Sequence, residues 1–377
     1  MDHVLIGISI AFIVTFYAIP VIIRVSDIKK LHDKPDERKV HTYPVPFLGG
    51  VGIYAGFLLA ILISSPEQTS ELQYYIAASL VIFFLGLKDD VLVLSPFKKF
   101  LGQLLAAFII IYKGGIQIMS MHGFMGFDQL PEFFGLVLSY FTVIVVINSF
   151  NLIDGVDGLA GTLGMFTSAV FGVYFLSMHQ ITLAVMGLSL SGALAAFLIF
   201  NYSPAKIFMG DTGAMLIGLI NAILVIKFIN TANNTDGDGP LTTAPAIGFA
   251  ILMVPLFDTL RVFSIRILNR RSPFTPDRNH IHHLLLDRGM SHKMITFTIV
   301  LANIIFALIA YTFREIGNTW LILGLISTGF SIISILLYTR PKAKLLATEA
   351  QSGGSGKTSK KTKIIPIISP KPAANDE

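Results

Sequence analysis

Eleven apolar stretches follow one another along this chain and leave little room for anything else. They lie at about 4–25, 48–65, 72–87, 98–113, 134–151, 160–178, 181–200, 212–229, 243–267, 293–313 and 317–338. A helix needs ~20 apolar residues to cross the hydrocarbon of a bilayer, and most of these runs reach that length. The fold class predicted is all-α, a polytopic membrane bundle of about 11 transmembrane helices. The third and fourth runs sit near the lower limit for a span, and only Ser-Met-His-Gln at 177–180 parts the sixth from the seventh. Composition agrees: 53% of the 377 residues are hydrophobic and 14% charged, against roughly 25% charged in a soluble domain. A soluble globular enzyme and a disordered chain are both excluded.

The basic residues orient the bundle. Arg24, Lys29 and Lys30 directly follow the first run, and no basic residue precedes it. That charge order predicts an uncleaved first helix with its N-terminus outside. With alternate connections then in the cytoplasm, only Lys113, Lys227 and Arg314 of the 28 Lys and Arg residues fall outside. The net charge of +5 is therefore topological, and no nucleic-acid partner is expected. Residues 1–338 form one multi-pass domain without an internal repeat. Residues 339–377 read as a basic, disordered cytoplasmic tail. The absence of cysteine removes thiolate nucleophiles and Cys-ligated zinc, so a metal would use carboxylate, amide or imidazole groups.

Polar motifs gather at the cytoplasmic connections. Ionised groups at membrane depth need a partner, a metal or water. Asp89 and Asp90 end the third run, and Lys98 and Lys99 open the fourth; an ordinary solvated helix end has the same look. In Asn-Leu-Ile-Asp-Gly-Val-Asp-Gly, Asn148, Asn151, Asp154 and Asp157 recur every three residues, so a helical segment would project them from one face. Their oxygens are the hard ligands that Mg²⁺ prefers. A turn with Asn201 and Pro204 leads to Phe208 and to Gly210-Asp211-Thr212-Gly213, where a helix N-terminus favours a phosphate. Asp211 could instead be a plain N-cap. The basic loop before the tenth run carries Arg278, His280, His282 and His283, suited to phosphate oxygens, with zinc as the competing ligand. The first loop offers Lys34, Arg38, Lys39 and His41.

The Leu-Gly-Leu-Lys-Asp-Asp pair, Asn-Leu-Ile-Asp-Gly-Val-Asp-Gly-Leu-Ala-Gly, the Asn-Tyr-Ser-Pro turn ending in Met-Gly-Asp-Thr-Gly, and His-Ile-His-His occur in that order. Together they resemble the polyprenyl-phosphate N-acetylhexosamine-1-phosphate transferase family over residues 1–338, in its WecA/TagO-like branch. The resemblance implies transfer of N-acetylglucosamine-1-phosphate from UDP-N-acetylglucosamine to undecaprenyl phosphate with release of UMP. That would be the first membrane step of a cell-envelope polysaccharide, at the cytoplasmic face of a bacterial inner membrane. It implies Mg²⁺, with Mn²⁺ as an alternative, on Asp211 with Asn151 and Asp154. It assigns Asp89 and Asp90 to the acceptor phosphate, and Phe208 to stacking on uracil. Asp157 and Asn201 fall at nucleoside-contacting positions, and Lys99 at the basic position after the Asp pair. His280, His282, His283 and Arg278 would hold the diphosphate or sugar. Asp89, Asp90, Asp154, His282 and His283 form the expected catalytic set. Asp258 and Arg261 read as supporting residues. A phosphate monoester has its second pKa near ~6, so direct attack by the lipid phosphate is favoured over a covalent Asp intermediate. The same reaction on another UDP-N-acetylhexosamine or UDP-MurNAc-pentapeptide remains open. A secondary transporter, whose site would lie at the midplane between repeated halves, is the alternative from another class. A homodimer is compatible with all of this.

Overall fold

The computed structural model describes residues 1–33, 44–66, 70–232, 241–270, 279–339, 345–346 and 365–366. The apolar runs become helices: α1 (Asp2–Lys29), α2 (Gly49–Ser64), α3 (Leu72–Leu92), α4 (Pro96–Tyr112), α5 (Glu132–Ile153), α6 (Leu159–Ser177), α7 (Ile181–Asn201) and α8 (Gly210–Thr231). The ninth run is split into α9 (Ala244–Ile251) and α10 (Met253–Leu268), which meet at 83°. A short α11 (Ile281–Leu286) precedes α12 (His292–Thr312) and α13 (Asn318–Tyr338). Among the described residues, seven helices are long and apolar enough to cross a membrane, or eight if the bent pair is one span. The protein is thus a polytopic helical bundle. α2, at 16 residues, is a shorter apolar helix.

Strands are confined to short antiparallel pairs. β1 (His32–Asp33) pairs with β2 (Val45–Pro46), and β3 (Ser120–Phe124) with β4 (Phe127–Gln129) in a hairpin between α4 and α5. In the tail, β5 (Leu345–Leu346) pairs with β6 (Ile365–Pro366); from 340 onward the rest of the tail lies outside the described residues, as do Lys34, Arg38, Lys39, His41 and Arg278.

α8 is the centre. Apolar on every side, it is buried on every side, as such a helix must be, with α3 and α5 its most extensive neighbours. α3 comes unusually close: a Cβ on Gly86 would stand 2.5 Å from the Thr212 Cα, so only glycine permits the two backbones to meet there. By contrast α1, α12 and α13 keep large apolar residues such as Ile13, Phe297 and Trp320 on the outside, the surface a bilayer would cover.

The break before α10 is stapled from α12. Asn303, fully buried, donates through Nδ2 to the Ile251 carbonyl at 2.8 Å and accepts the Val254 N–H at Oδ1 at 3.0 Å. Both backbone groups freed by the break are thereby satisfied, the condition for interrupting a helix away from water. The bend carries α10 to the end of the bundle where α3 and α5 finish and α4, α6 and α8 begin.

Candidate functional site

Four helix ends meet around one ammonium. Lys99, in the first turn of α4, places Nζ 2.8 Å from Asp211 Oδ2, 3.0 Å from Asp89 Oδ2 and 3.2 Å from Asn151 Oδ1. Asn151 in turn donates from Nδ2 to Asp211 Oδ1 at 2.6 Å. α4 starts here because Pro96 follows Ser95, and proline is preorganised for the first helical position. Asp89 is held by the Leu94 N–H at 2.6 Å, so the chain leaving α3 fixes this carboxylate.

Asp90 does something different from its neighbour. Its Oδ1 accepts the Asp211 N–H at 2.7 Å, and its Oδ2 accepts Thr212 N–H at 3.1 Å and Thr212 Oγ1–H at 2.5 Å. α8 has no side-chain cap of its own at Met209. Asp90 supplies one from another helix, satisfying orphan N–H groups and placing negative charge at the positive end of the dipole. Asp211 is therefore in the first turn of α8, where the sequence put it, but the cap is Asp90.

The threefold Asn/Asp spacing is only half helical. α5 ends at Ile153, so Asn148 and Asn151 occupy its last turns while Asp154 and Asp157 lie in the turn before α6. Asn148 donates to Gln103 Oε1 at 2.8 Å. Burial, then the charges of Asp211, Asp90 and Asp157, push the Asp154 carboxyl up to about 7. Asp157 behaves oppositely. Burial works against its charge, but His292 Nδ1 at 3.3 Å and the Ala205 N–H at 3.2 Å outweigh it and hold the carboxyl below the usual range. Asn201 accepts Gly158 N–H at 3.0 Å and donates to the Ile207 carbonyl at 2.8 Å. Asp157 and Asn201 thus tie the start of α6 to the turn before α8. Phe208, half-buried, is fixed by its backbone: its N–H donates to Pro46 at 2.7 Å and its carbonyl accepts Gly49 N–H at 3.0 Å.

A cavity of about 450 Å³ opens between these groups and the imidazoles. Asp89, Lys99, Asn151 and Asp211 line one side; His280, His282 and His283 line the other. His282 is seated directly over the turn, its Nε2 2.4 Å from where a Gly155 Cβ would be. Glycine at 155 is thus what admits the ring. Burial, then the neighbouring His283, lowers the His282 imidazole to about 3, so it is neutral at physiological pH. Its Nδ1 has no partner among the described residues.

Of the residues singled out in the sequence, the structure brings Asp89, Lys99, Asn151, Asp211 and the three histidines to this cavity, with Asp90, Asp154, Asp157 and Asn201 behind or beside it. It missed Gln103, Phe263 and Arg266, which also line the cavity. Arg266 had only a topological meaning in the sequence. Both Arg261 and Arg266 are buried, which their spacing of five, too far round a helix to share a face, did not announce. Among the described residues, no three His, Asp or Glu side chains converge as a finished metal-binding group. Instead Lys99 draws the oxygens of Asp89, Asn151 and Asp211 toward one point.

Comparison with known proteins bears on this arrangement. The model of the family described as glycosyl transferase family 4 matches residues 72–229, which includes α3 to α8 and hence both Asp pairs and Asp211. The chain is 32% identical over 336 residues to a "Probable undecaprenyl-phosphate N-acetylglucosaminyl 1-phosphate transferase" of Bacillus subtilis, covering 86% of this chain and 90% of the relative. It is 31% identical to a "Decaprenyl-phosphate N-acetylglucosaminephosphotransferase" of Mycobacterium leprae, covering 89% and 91%. A Yersinia pestis "Undecaprenyl-phosphate alpha-N-acetylglucosaminyl 1-phosphate transferase" is 29% identical, covering 80% and 82%. Similarity at that level over nearly the whole length, with three of the four motifs inside the matched segment, means that the chain belongs to glycosyl transferase family 4.

Proposed function

We propose that this protein transfers N-acetylglucosamine-1-phosphate from UDP-N-acetylglucosamine to undecaprenyl phosphate, giving undecaprenyl-diphospho-N-acetylglucosamine and UMP. The observation that carries the reading is the Lys99 junction: one cation holding Asp89, Asn151 and Asp211 on one wall of a cavity whose other wall is imidazole and guanidinium. The names of the relatives supply the donor and acceptor.

In the reaction an oxygen of the lipid phosphate attacks the sugar-bearing phosphorus of the nucleotide. The bond to the bridging oxygen breaks, and UMP leaves. Phosphoryl transfer of this kind asks the protein mainly for positioning and for charge stabilisation. Lys99, aligned by Asp89 at 3.0 Å, receives the acceptor phosphate, which is largely a dianion near neutrality, its second pKa being ~6, and needs little help from a base. Neutral His282, with His280, His283 and Arg266, offers hydrogen bonds and positive charge to the diphosphate. Asp90 keeps Asp211 in register. Phe208, Asp157 and Asn201 belong to the nucleoside side of the reading, and Arg278 to the diphosphate or sugar. Asp211, with Asn151 and Asp154, would hold Mg²⁺ or Mn²⁺, whose chemistry there is to neutralise charge on the diphosphate oxygens. The donor set is all hard oxygen, which fits a divalent cation.

The membrane setting completes the proposal: eleven crossings, the N-terminus outside, the tail and the cavity at the cytoplasmic side of a bacterial inner membrane, where UDP-sugars are available. A site at helix ends also suits transfer to a headgroup better than transport, which calls for a midplane site. The test is to give the purified protein undecaprenyl phosphate, Mg²⁺ and a panel of UDP-sugars, then weigh the lipid product. UDP-N-acetylglucosamine should yield the lipid diphospho-sugar with matching UMP. No product from any sugar would overturn the assignment.

A further inference from the structure

One buried network lies behind the imidazole wall of the cavity and makes no contact with the Lys99 junction opposite. Asp258, on α10, is 1% exposed. Its Oδ2 lies 2.9 Å from His280 Nδ1, and its Oδ1 accepts the Ile281 N–H at 3.0 Å and Arg261 Nη2–H at 2.9 Å. Arg261 also donates to the Asn279 carbonyl. These bonds join α10 to the first residues of α11. A buried charge so paired is costly to assemble and is commonly retained for what it specifies.

Here it specifies a tautomer. A carboxylate paired with Arg261 can only accept, so His280 must carry its proton on Nδ1. In the neutral ring His280 Nε2 is then an acceptor, and Arg266 Nη2 lies 3.5 Å from it. Arg266 lines the cavity. The chain of contacts runs from Asp258 through His280 to the guanidinium, in one direction of donation throughout.

We propose that Asp258 is a positioning residue for this site: it sets the Nδ1–H tautomer of His280, turns His280 Nε2 toward Arg266, and so aims that guanidinium into the cavity. The inference rests on the transferase reading for its consequence, though not for its geometry. Asp258→Asn is nearly isosteric and keeps an oxygen for Arg261 and Ile281, but its amide would donate toward His280 Nδ1. The ring would then carry hydrogen on Nε2, facing the Arg266 donor.

Two measurements on the full-length protein decide it. Nitrogen-15 NMR of the histidines, with His280 identified by its absence in His280→Asn, should report Nδ1–H for His280 in the wild type and Nε2–H in Asp258→Asn. In UMP-release assays, Asp258→Asn should lower kcat/KM for UDP-N-acetylglucosamine about tenfold or more, as losing an orienting partner does elsewhere. In a His280→Asn background the same change should cost less than about twofold, because residues acting through one another are not additive. An Nε2–H tautomer in the wild type, or an equal cost in both backgrounds, overturns the proposal. If Asp258→Asn does not accumulate, the wild-type tautomer decides alone. A wild type that releases no UMP from any UDP-sugar counts against the transferase reading, and the NMR result still stands for or against Asp258.

Discussion

At the scale of single residues, chemistry follows from which oxygens share a proton or a cation. Asp211 is bonded to Lys99 and Asn151 at once, so removing its charge should be decisive. Asp211→Asn is expected to abolish metal-dependent UMP release while the protein still inserts in membranes; near-normal turnover after chelation and Mg²⁺ replacement would remove it from the metal set. His282 offers a pH test whose sign is fixed. Its imidazole is held at about 3 in the fold by burial and His283, against an ordinary value of about 6.5 in an unfolded chain. On acidification below about 6.5 only the unfolded chain takes up the proton, so stability is lost as pH falls. The unfolding midpoint of the wild type should therefore drop more between about pH 7 and pH 5 than that of His282→Gln. Much of this was legible beforehand: carboxylates beside apolar runs announce themselves, because the bilayer makes each one costly. What was hidden is the division of labour. Adjacent Asp89 and Asp90 look identical in sequence, and only the backbone N–H groups of Asp211 and Thr212 reveal that one lines the cavity while the other caps a helix.

Among the elements, the helices were readable from their apolar length, while the breaks in them were not. The run at 243–267 carries Pro255 at its centre, whose missing N–H leaves the Ile251 carbonyl four residues earlier without a helical partner; the residue that satisfies that carbonyl, Asn303, lies on α12 about fifty residues later. Period-three spacing likewise overreached at Asp154 and Asp157, because α5 stops at Ile153 and Gly158, at φ 76°, turns the chain into α6. Asn303→Leu leaves the Ile251 carbonyl and Val254 N–H unpaired in an apolar setting, at an expected cost of about 1–3 kcal/mol for each lost partner. Thermal unfolding in detergent should show the loss, and UMP release should fall with it, because α10 carries Phe263 and Arg266 to the cavity. Full activity with an unchanged midpoint would mean that the bend holds without its staple.

For the whole molecule, the charge asymmetry makes a claim about sidedness that helix length cannot make. The chain contains no cysteine, so single cysteines report their side without a background. In intact cells Gly126→Cys, in the β3–β4 hairpin, should react with a membrane-impermeant maleimide, and Ser352→Cys should react only after the membrane is opened. Labelling of both from one side would break the eleven-crossing count. The pairing of α3 with α8 has a consequence of its own. At the cavity end they are joined by Asp90, and at the far end Lys227 on α8 meets Glu71, just before α3, at 2.6 Å. Two antiparallel rods fixed at both ends tilt together. When bilayer thickness changes, tilt is the usual accommodation, and this pair would lean as one body without shearing Asp89 past Asp211. Turnover should accordingly stay level across vesicles of thin and thick lipids, and Lys227→Met should make it fall away at the extremes.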